Sequence, residues 1–384
     1  MKSWRVESMP LDQLSHVRIT AVISSLGLGG AQRVIVRLCD SLAQRGHSVT
    51  LLTTDPLTVD FFQVPDSVVR VRAHPDSHLS SRWYDIRRQA VRVSALRRCL
   101  VETQPDAVVS FIDTTNVSVL LALIGQNIPV IVSERSDPRW HSIGFRWSVL
   151  RKLTYPRARR VVFLTEELGK WGRSRWPRWR ADVIPNPVMP DAGQGRNAKL
   201  RADRRTVLGM GRLDSKKRFD MLVRAFSLNA GECPDWDLEI VGDGPDRQRL
   251  LALIQELGIS DRVRLPGPEK QSFLAFERCD LFVLASEYEG FPNALAEAMA
   301  AGLPVISFDC PSGPKEIVRH EVDGLLVPPL NVDALAAAMG RLMSNPAERS
   351  RLASRAPEVV DRFSPKRIFD RWDRLIHEVI EERA

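Results

Sequence analysis

Apolar residues along this 384-residue chain fall into two alternating patterns. Short uninterrupted runs of β-branched and aliphatic residues, the first at 18–23, read as strands buried on both faces. Between them, apolar positions recur every three or four residues, the period of a half-buried helix. In the first half, runs at 18–23, 49–53, 107–112, 129–133 and 160–164 predict strands. Segments 32–44 and 116–124 predict helices, the former presenting Val34, Leu38 and Leu42 on one face with Gly46 as its stop. Thr165 stands where a helix cap belongs, ahead of Glu166 and Glu167 in a first turn. The second half restarts the series with strands at 206–211, 238–241, 263–265, 280–285, 305–307 and 325–327. Such alternation predicts parallel sheets with helices on both faces, twice over: an α/β chain of two Rossmann-like, doubly wound domains.

The chain is long enough for two separate cores. A stretch rich in Pro, Gly and Asn begins at Pro185 and marks the division. The expected organisation is an N-terminal extension (1–16), a first domain (17–187), a linker (188–203), a second domain (204–363) and a terminal helix (364–384) that crosses back to the first domain. In that helix Ile368, Trp372, Leu375, Ile376 and Val379 share one face.

Candidate chemistry concentrates after the apolar run at 280–285. There the chain passes through a Gly/Pro turn into a strong helix former at 294–299, with Pro292 where a first helical position belongs. The amides of Asn293, Ala294 and Leu295 are then left without intrahelical partners, which makes an anion seat. Glu289 precedes that seat and Glu297 lies about a turn beyond it. Two carboxylates flanking an anion seat suit a ligand with phosphate in its middle and hydroxyl-rich groups at both ends, as in a nucleotide sugar. Arg212 and Lys217 follow the strand that ends at Gly211, where cations can neutralise a diphosphate. Gly242, Asp243, Gly244 and Pro245 form another turn after a strand, and Gly267 ends a further one. The turn holding Gly27, Gly29 and Gly30 opens a βαβ unit, but Gln32 stands where the dinucleotide fingerprint needs its third glycine.

Glu289 and Glu297, eight positions apart with Gly290 and Phe291 between them, resemble the Glu-x7-Glu signature of retaining glycosyltransferases of family 4, which have the GT-B fold. Segments 301–306 and 312–317 resemble that family's next two segments, and the likeness runs from about Arg18 to the end. It implies two domains facing a cleft and assigns Glu289 to the transferred sugar and Glu297 to the ribose hydroxyls. It implies that Arg212, Lys217 and the amides at 293–295 replace a divalent cation at the departing diphosphate, so that no metal and no cofactor is expected. Gly211, Gly242, Gly267 and Phe291 fall on the donor side. Gly29 and Gly30 resemble the N-terminal loop that closes over the diphosphate. Asp113, Glu134 and Arg135 end strands of the first domain and are candidates for the acceptor side; many family members have a histidine where this chain has Arg135. The glycine turn, Ser133 to Arg135 and Pro311 to Pro314 look most like bacterial exopolysaccharide and oligosaccharide assembly enzymes. The implied reaction moves a hexose or N-acetylhexosamine from a nucleotide sugar of UDP-GalNAc, UDP-Gal or UDP-Glc type to a polyprenyl-diphosphate-linked glycan.

Charge adds a surface to this picture. The net charge is +8, with the excess in the first half. Residues 139–180 hold twelve Lys/Arg against Glu166 and Glu167, with five of the nine tryptophans (Trp140, Trp147, Trp171, Trp176 and Trp179). Cations with interfacial aromatics suit an anionic membrane surface, and no recognisable nucleic-acid module accompanies them. No apolar run approaches the roughly 20 residues of a membrane span, and 1–16 has no signal-like apolar core. The five scattered cysteines fit a reducing compartment rather than disulfides or zinc. The expectation is a cytoplasmic protein, peripheral on the inner face of the plasma membrane and without a nucleic-acid partner. Two other classes fit parts of the sequence: a nucleotide-sugar epimerase on the same fold, and a non-catalytic nucleic-acid binder using the basic half.

Overall fold

A computed structural model describes residues 15–27, 29–55, 60–73, 86–189, 204–269 and 271–382. Most of the expected N-terminal extension and linker lies outside the described residues. The chain divides into two units: Met1–Pro185 with Lys366–Ala384, and Asn186–Pro365.

The first unit is a seven-stranded parallel sheet in the order β3-β2-β1-β4-β5-β6-β7. Its strands are β1 (Arg18–Ile23), β2 (Ser48–Thr53), β3 (Val69–Arg72), β4 (Ala107–Phe111), β5 (Val130–Ser133), β6 (Arg160–Phe163) and β7 (Ala181–Val183). The helices between them are α1 (Gly30–Gln44), α2 (Ile86–Glu102), α3 (Asp113–Ala122), α4 (Phe145–Thr154) and α5 (Glu166–Arg175). The buried central strands are the ones whose apolar runs are continuous. The two edge strands, β3 and β7, escape the apolar-run pattern. In β3 the order Val69, Arg70, Val71, Arg72 breaks the run, because an edge needs only partial burial and its arginines reach Asp60 at 3.3 and 2.8 Å.

The second unit is a six-stranded parallel sheet in the order β10-β9-β8-β11-β12-β13. Its strands are β8 (Arg205–Met210), β9 (Trp236–Val241), β10 (Val263–Gly267), β11 (Leu281–Leu284), β12 (Val305–Phe308) and β13 (Leu325–Val327). Its helices are α6 (Phe219–Asn229), α7 (Arg247–Glu256), α8 (Ser272–Glu277), α9 (Asn293–Ala300), α10 (Pro314–Ile317), α11 (Val332–Ser344), α12 (Pro346–Arg355) and α13 (Val359–Arg362). One core of Leu, Ile, Val and Phe side chains, centred on β8, β9 and β11, holds it together.

The terminal helix α14 (Pro365–Glu381) completes the core of the first unit. Ile368, Phe369, Trp372, Leu375, Ile376 and Val379 join one buried cluster with β1, α1 and Phe111. The Trp372 ring centroid lies 5.7 Å from that of Phe111.

In both sheets the strand order reverses once, between β1 and β4 and between β8 and β11. Loops leaving the carboxyl ends of such neighbours diverge and leave a crevice, the usual ligand position in open α/β sheets. The residues singled out in the sequence cluster at these two points.

Candidate functional site

At the switch point of the second unit, β8 is followed by Gly211 and β11 leads into Ser286 to Pro292. Glu289 is buried there. Its Oε1 accepts hydrogen bonds from Lys217 Nζ at 2.6 Å and from Ser286 Oγ at 2.7 Å, while Lys216 Nζ lies 4.0 Å from Oε2. Burial alone would raise the Glu289 pKa. The two lysines and the two hydrogen bonds outweigh it and hold the carboxyl below its usual value, so Glu289 is an anion at neutral pH. Ser286 had no signal of its own in the sequence beyond its place in the turn. Lys216 stacks its ammonium on the Tyr288 ring, 4.6 Å from the centroid.

Glycines shape the surface around this pair. The Gly211 amide bonds to Val241 O and the Gly242 amide to Gly267 O, so three glycines lie side by side at the ends of β8, β9 and β10. Gly242 takes φ 147°, and a Cβ there would stand 1.9 Å from the Gly211 carbonyl oxygen. Gly211 at φ 152° lets the Lys217 stem pass, with a Cβ position 3.2 Å from Lys217 Cε. Arg212 extends outward, 74% exposed, with Asp214 3.9 Å away.

Helix α9 begins at Asn293, with Pro292 as its N-cap rather than its first helical residue. The Ala296 amide is the first to bond back, to Pro292 O at 3.2 Å, so the amides of Asn293, Ala294 and Leu295 have no intrahelical partner. The Asn293 side chain accepts a hydrogen bond from Asn186 Nδ2 at 2.8 Å. Ser312 and Gly313, both at positive φ, bring their loop against this start; a Cβ on Gly313 would lie 2.6 Å from Pro292 Cδ. Glu297 is half-buried one turn along α9. Phe291 is buried and packs edge-on against Phe363 at 5.4 Å, so its ring supports the turn from beneath.

The first unit has its own constellation at the β1/β4 switch point. Gly29 and Gly30 open α1 after β1, and they belong to a different unit from the Glu289 group. Ile112, the residue between β4 and α3, takes φ 77° and ψ 133°, a strained conformation for a β-branched side chain. The sharp turn starts α3 at Asp113, three residues ahead of the expected start, and places Asp113 beside His141, whose Nε2 lies 3.4 Å from Oδ2. The pattern of the chain gave no pointer to His141, because it comes from an irregular loop after β5 with no motif around it. Glu134 is fully enclosed: Tyr155 donates to its Oε1 at 2.6 Å and Arg151 stands at 3.5 Å. Burial, aided by Asp113, pushes its pKa up to about 7 despite Arg151 and Tyr155. Protein thus surrounds Glu134, and its contacts with Tyr155 and Arg151 brace the loop after β5. Arg135 lies over the Phe111 ring at 4.1 Å and donates to Ser133 Oγ at 3.2 Å.

The basic stretch also resolves into parts. Trp176 stacks on Trp179, Trp171 meets Phe163 and Trp179 edge-on, and Trp147 packs on the core. Only Trp140 of the five is exposed. Helix α4, which follows it in the chain, displays Phe145 (84% exposed) and Leu153 (61%) together with exposed Arg146 and Lys152. No helix among the described residues is long and apolar enough to cross a membrane.

Comparison with known proteins agrees with this geometry. Residues 28–192 match the model of Glycosyltransferase Family 4, and residues 194–359 match that of Glycosyl transferases group 1. The chain is 27% identical over 94% of its length, and 99% of the relative's, to a Campylobacter jejuni α-1,4-N-acetyl-D-galactosaminyltransferase whose name gives a PP-undecaprenol-linked glycan as acceptor. It is 37% identical over 58% of its length to an exopolysaccharide phosphotransferase of Streptomyces coelicolor, of which it spans only 24%. Among solved structures, Anabaena HepE in complex with UDP and glucose superposes with a TM-score of 0.80, at 20% identity over 94% of this chain and 100% of that one. The fold is GT-B, and this chain belongs to the family 4 and group 1 glycosyltransferases.

Proposed function

We propose that this chain is a retaining glycosyltransferase that moves a hexose or N-acetylhexosamine from a UDP-sugar to a polyprenyl-diphosphate-linked glycan during cell-surface polysaccharide assembly. The observation that carries the reading is the buried Lys217–Glu289 pair at the β8/β11 switch point, four residues ahead of the unpartnered amides of α9. Arg212, Lys217 and those amides supply the positive potential that a departing diphosphate needs, without a divalent cation at that place. Glu289, held ionised, accepts hydrogen bonds from sugar hydroxyls, and Glu297 from the ribose. Asp113, His141 and Arg135 face the acceptor side. The UDP complex of HepE supports the choice of nucleotide, and the name of the Campylobacter relative supports a lipid-linked acceptor. The exposed Phe145, Leu153 and Trp140 among cations support a peripheral seat on an anionic membrane, and the reading takes that surface to be the cytoplasmic face.

A thermal-shift panel of UDP, GDP, ADP and NAD, each with and without EDTA, tests the donor site. Selective stabilisation by UDP that is indifferent to EDTA is expected; no shift with any nucleotide sinks the reading. Conversion of UDP-sugar with no acceptor present would favour an epimerase instead. Binding to nucleic acid in a gel shift at physiological salt would favour the basic half as a nucleic-acid surface. Co-sedimentation with anionic but not neutral vesicles, lost on Phe145→Asp, tests the membrane seat.

A further inference from the structure

Away from both switch points, a buried His–Asp–His cluster joins α14 to the turn before β2. His47, Asp373 and His377 are 7%, 2% and 6% exposed, and one ligand-type atom from each lies within 4.8 Å of the others. His47 Nε2 stands 3.1 Å and His377 Nδ1 3.3 Å from the same oxygen, Asp373 Oδ1. Around a tetrahedral zinc with bonds of about 2.0–2.1 Å, neighbouring ligand atoms are about 3.3 Å apart.

The hydrogen-bond accounting sharpens the point. His377 Nε2 lies 3.0 Å from the carbonyl oxygen of Ser15, which can only accept, so Nε2 carries a proton. In the neutral ring the lone pair is then on Nδ1, and it faces two more acceptors: Asp373 O at 3.0 Å and Asp373 Oδ1 at 3.3 Å. An unprotonated Nδ1 would thus face two acceptors, so a positive charge, a proton or a metal ion, belongs at that nitrogen. A proton on Nδ1 satisfies one ring, whereas a metal ion engages both imidazoles and the carboxylate together. Among the described residues His47 Nδ1 has no hydrogen-bond partner, and the polar contact of that ring is the one its Nε2 makes with Asp373. The outer contacts are those that orient metal ligands. Ser15 fixes the His377 tautomer, and Arg45 bonds Asp373 Oδ2 at 3.2 Å and Asp370 at 2.6 Å, leaving Oδ1 for the ion. Lys366 neutralises Asp370 from the far side at 3.1 Å.

We infer that His47, Asp373 and His377 form a structural site for a borderline divalent transition metal of the zinc class. Two imidazoles and a carboxylate select such an ion over calcium or magnesium, and the burial of all three side chains makes it a clamp rather than a reaction centre. The clamp pins the terminal helix to the strand it covers. All three ligands belong to the first unit, whereas the Glu289 group belongs to the second.

The test uses untagged full-length protein. After dialysis against Zn2+ and then metal-free buffer, about one zinc per chain is expected by elemental analysis. Co2+ should give the visible bands of a four-coordinate site. Zinc in hundredfold excess over its dissociation constant should raise the melting temperature of the first unit by about 5–10 °C, reversed by chelator, with no comparable effect of Mg2+ or Ca2+. His47→Gln and His377→Gln should each abolish the zinc-dependent part of the shift, whatever their metal-free melting temperature. Sub-stoichiometric zinc with a melting temperature indifferent to zinc and chelator overturns the inference, as does equal zinc binding by the His47→Gln/His377→Gln double variant. UDP binding is read separately, so its failure would count against the transferase reading and leave the metal result intact.

Discussion

The Lys217–Glu289 pair gives the sharpest expectation, because it is short, enclosed and central to the proposed chemistry. At 2.6 Å, with an effective dielectric near 20, the gross attraction is about 6 kcal/mol. Desolvation of two largely buried ions returns a good part of that. Lys217→Met leaves Glu289 buried with only Ser286 and the distant Lys216 to stabilise its charge, which should cost about 3–4 kcal/mol. Glu289→Gln keeps an acceptor for both donors, and Lys217, 19% exposed, retains access to water, so the loss should be nearer 1–2 kcal/mol. The double variant removes the stranded charge and should cost about 2 kcal/mol, leaving a coupling energy of about 3 kcal/mol. Hydrogen exchange resolved to peptides of the second unit reads these values without interference from the first. The sign of the pH dependence is also fixed. Because the Glu289 pKa is lowered on folding, its stabilisation is present above the unfolded value of 4.5 and is lost as pH falls through the folded value. Lys217→Met should remove that acid-side loss. Since a charge-assisted hydrogen bond contributes about 1.5–3 kcal/mol, Lys217→Met should also weaken UDP binding by about 10–100-fold, measured by calorimetry. Additive stabilities within about 0.5 kcal/mol, together with unchanged UDP affinity, would refute both the pair and its role.

Three further outcomes follow from single positions. Gly242→Ala forces a Cβ to within 1.9 Å of the Gly211 carbonyl at a left-handed φ, so β8 and β9 must separate; UDP-induced thermal stabilisation should vanish and the second unit should melt earlier. Trp372→Ala empties the space between α14 and Phe111 and should destabilise the first unit by about 3–5 kcal/mol in urea unfolding, with UDP affinity unchanged. Glu134, with its pKa raised from 4.5 to about 7, stabilises the fold below pH 4.5 and loses that contribution as pH rises through 7, a span of about 3 kcal/mol. Urea midpoints across pH 4.5–8 should show that slope in the wild type and its disappearance in Glu134→Gln.

The fold was legible because continuous apolar runs report strands buried on both faces, and the runs at β1, β4, β8, β11 and β12 need no partner to be recognised. Edge strands β3 and β7 were not, since half-exposed strands carry no such run. The Glu289 turn, the α9 amides, Arg212 and Lys217 could be named from the sequence, as all lie just past strand ends where local order alone implies a site. What the sequence determined by itself is therefore the α/β alternation, the family and the open helix start at 293–295, because each depends on neighbours along the chain. Only the tertiary structure decided which lysine pairs with Glu289, that Glu134 is sealed under Tyr155, that most of the tryptophans pack rather than face outward, and that Asp113 meets His141 and His47 meets His377. Those are contacts across strand order, from about 20 to more than 300 residues apart along the chain, and residue spacing holds no information about them until the sheet sets its register.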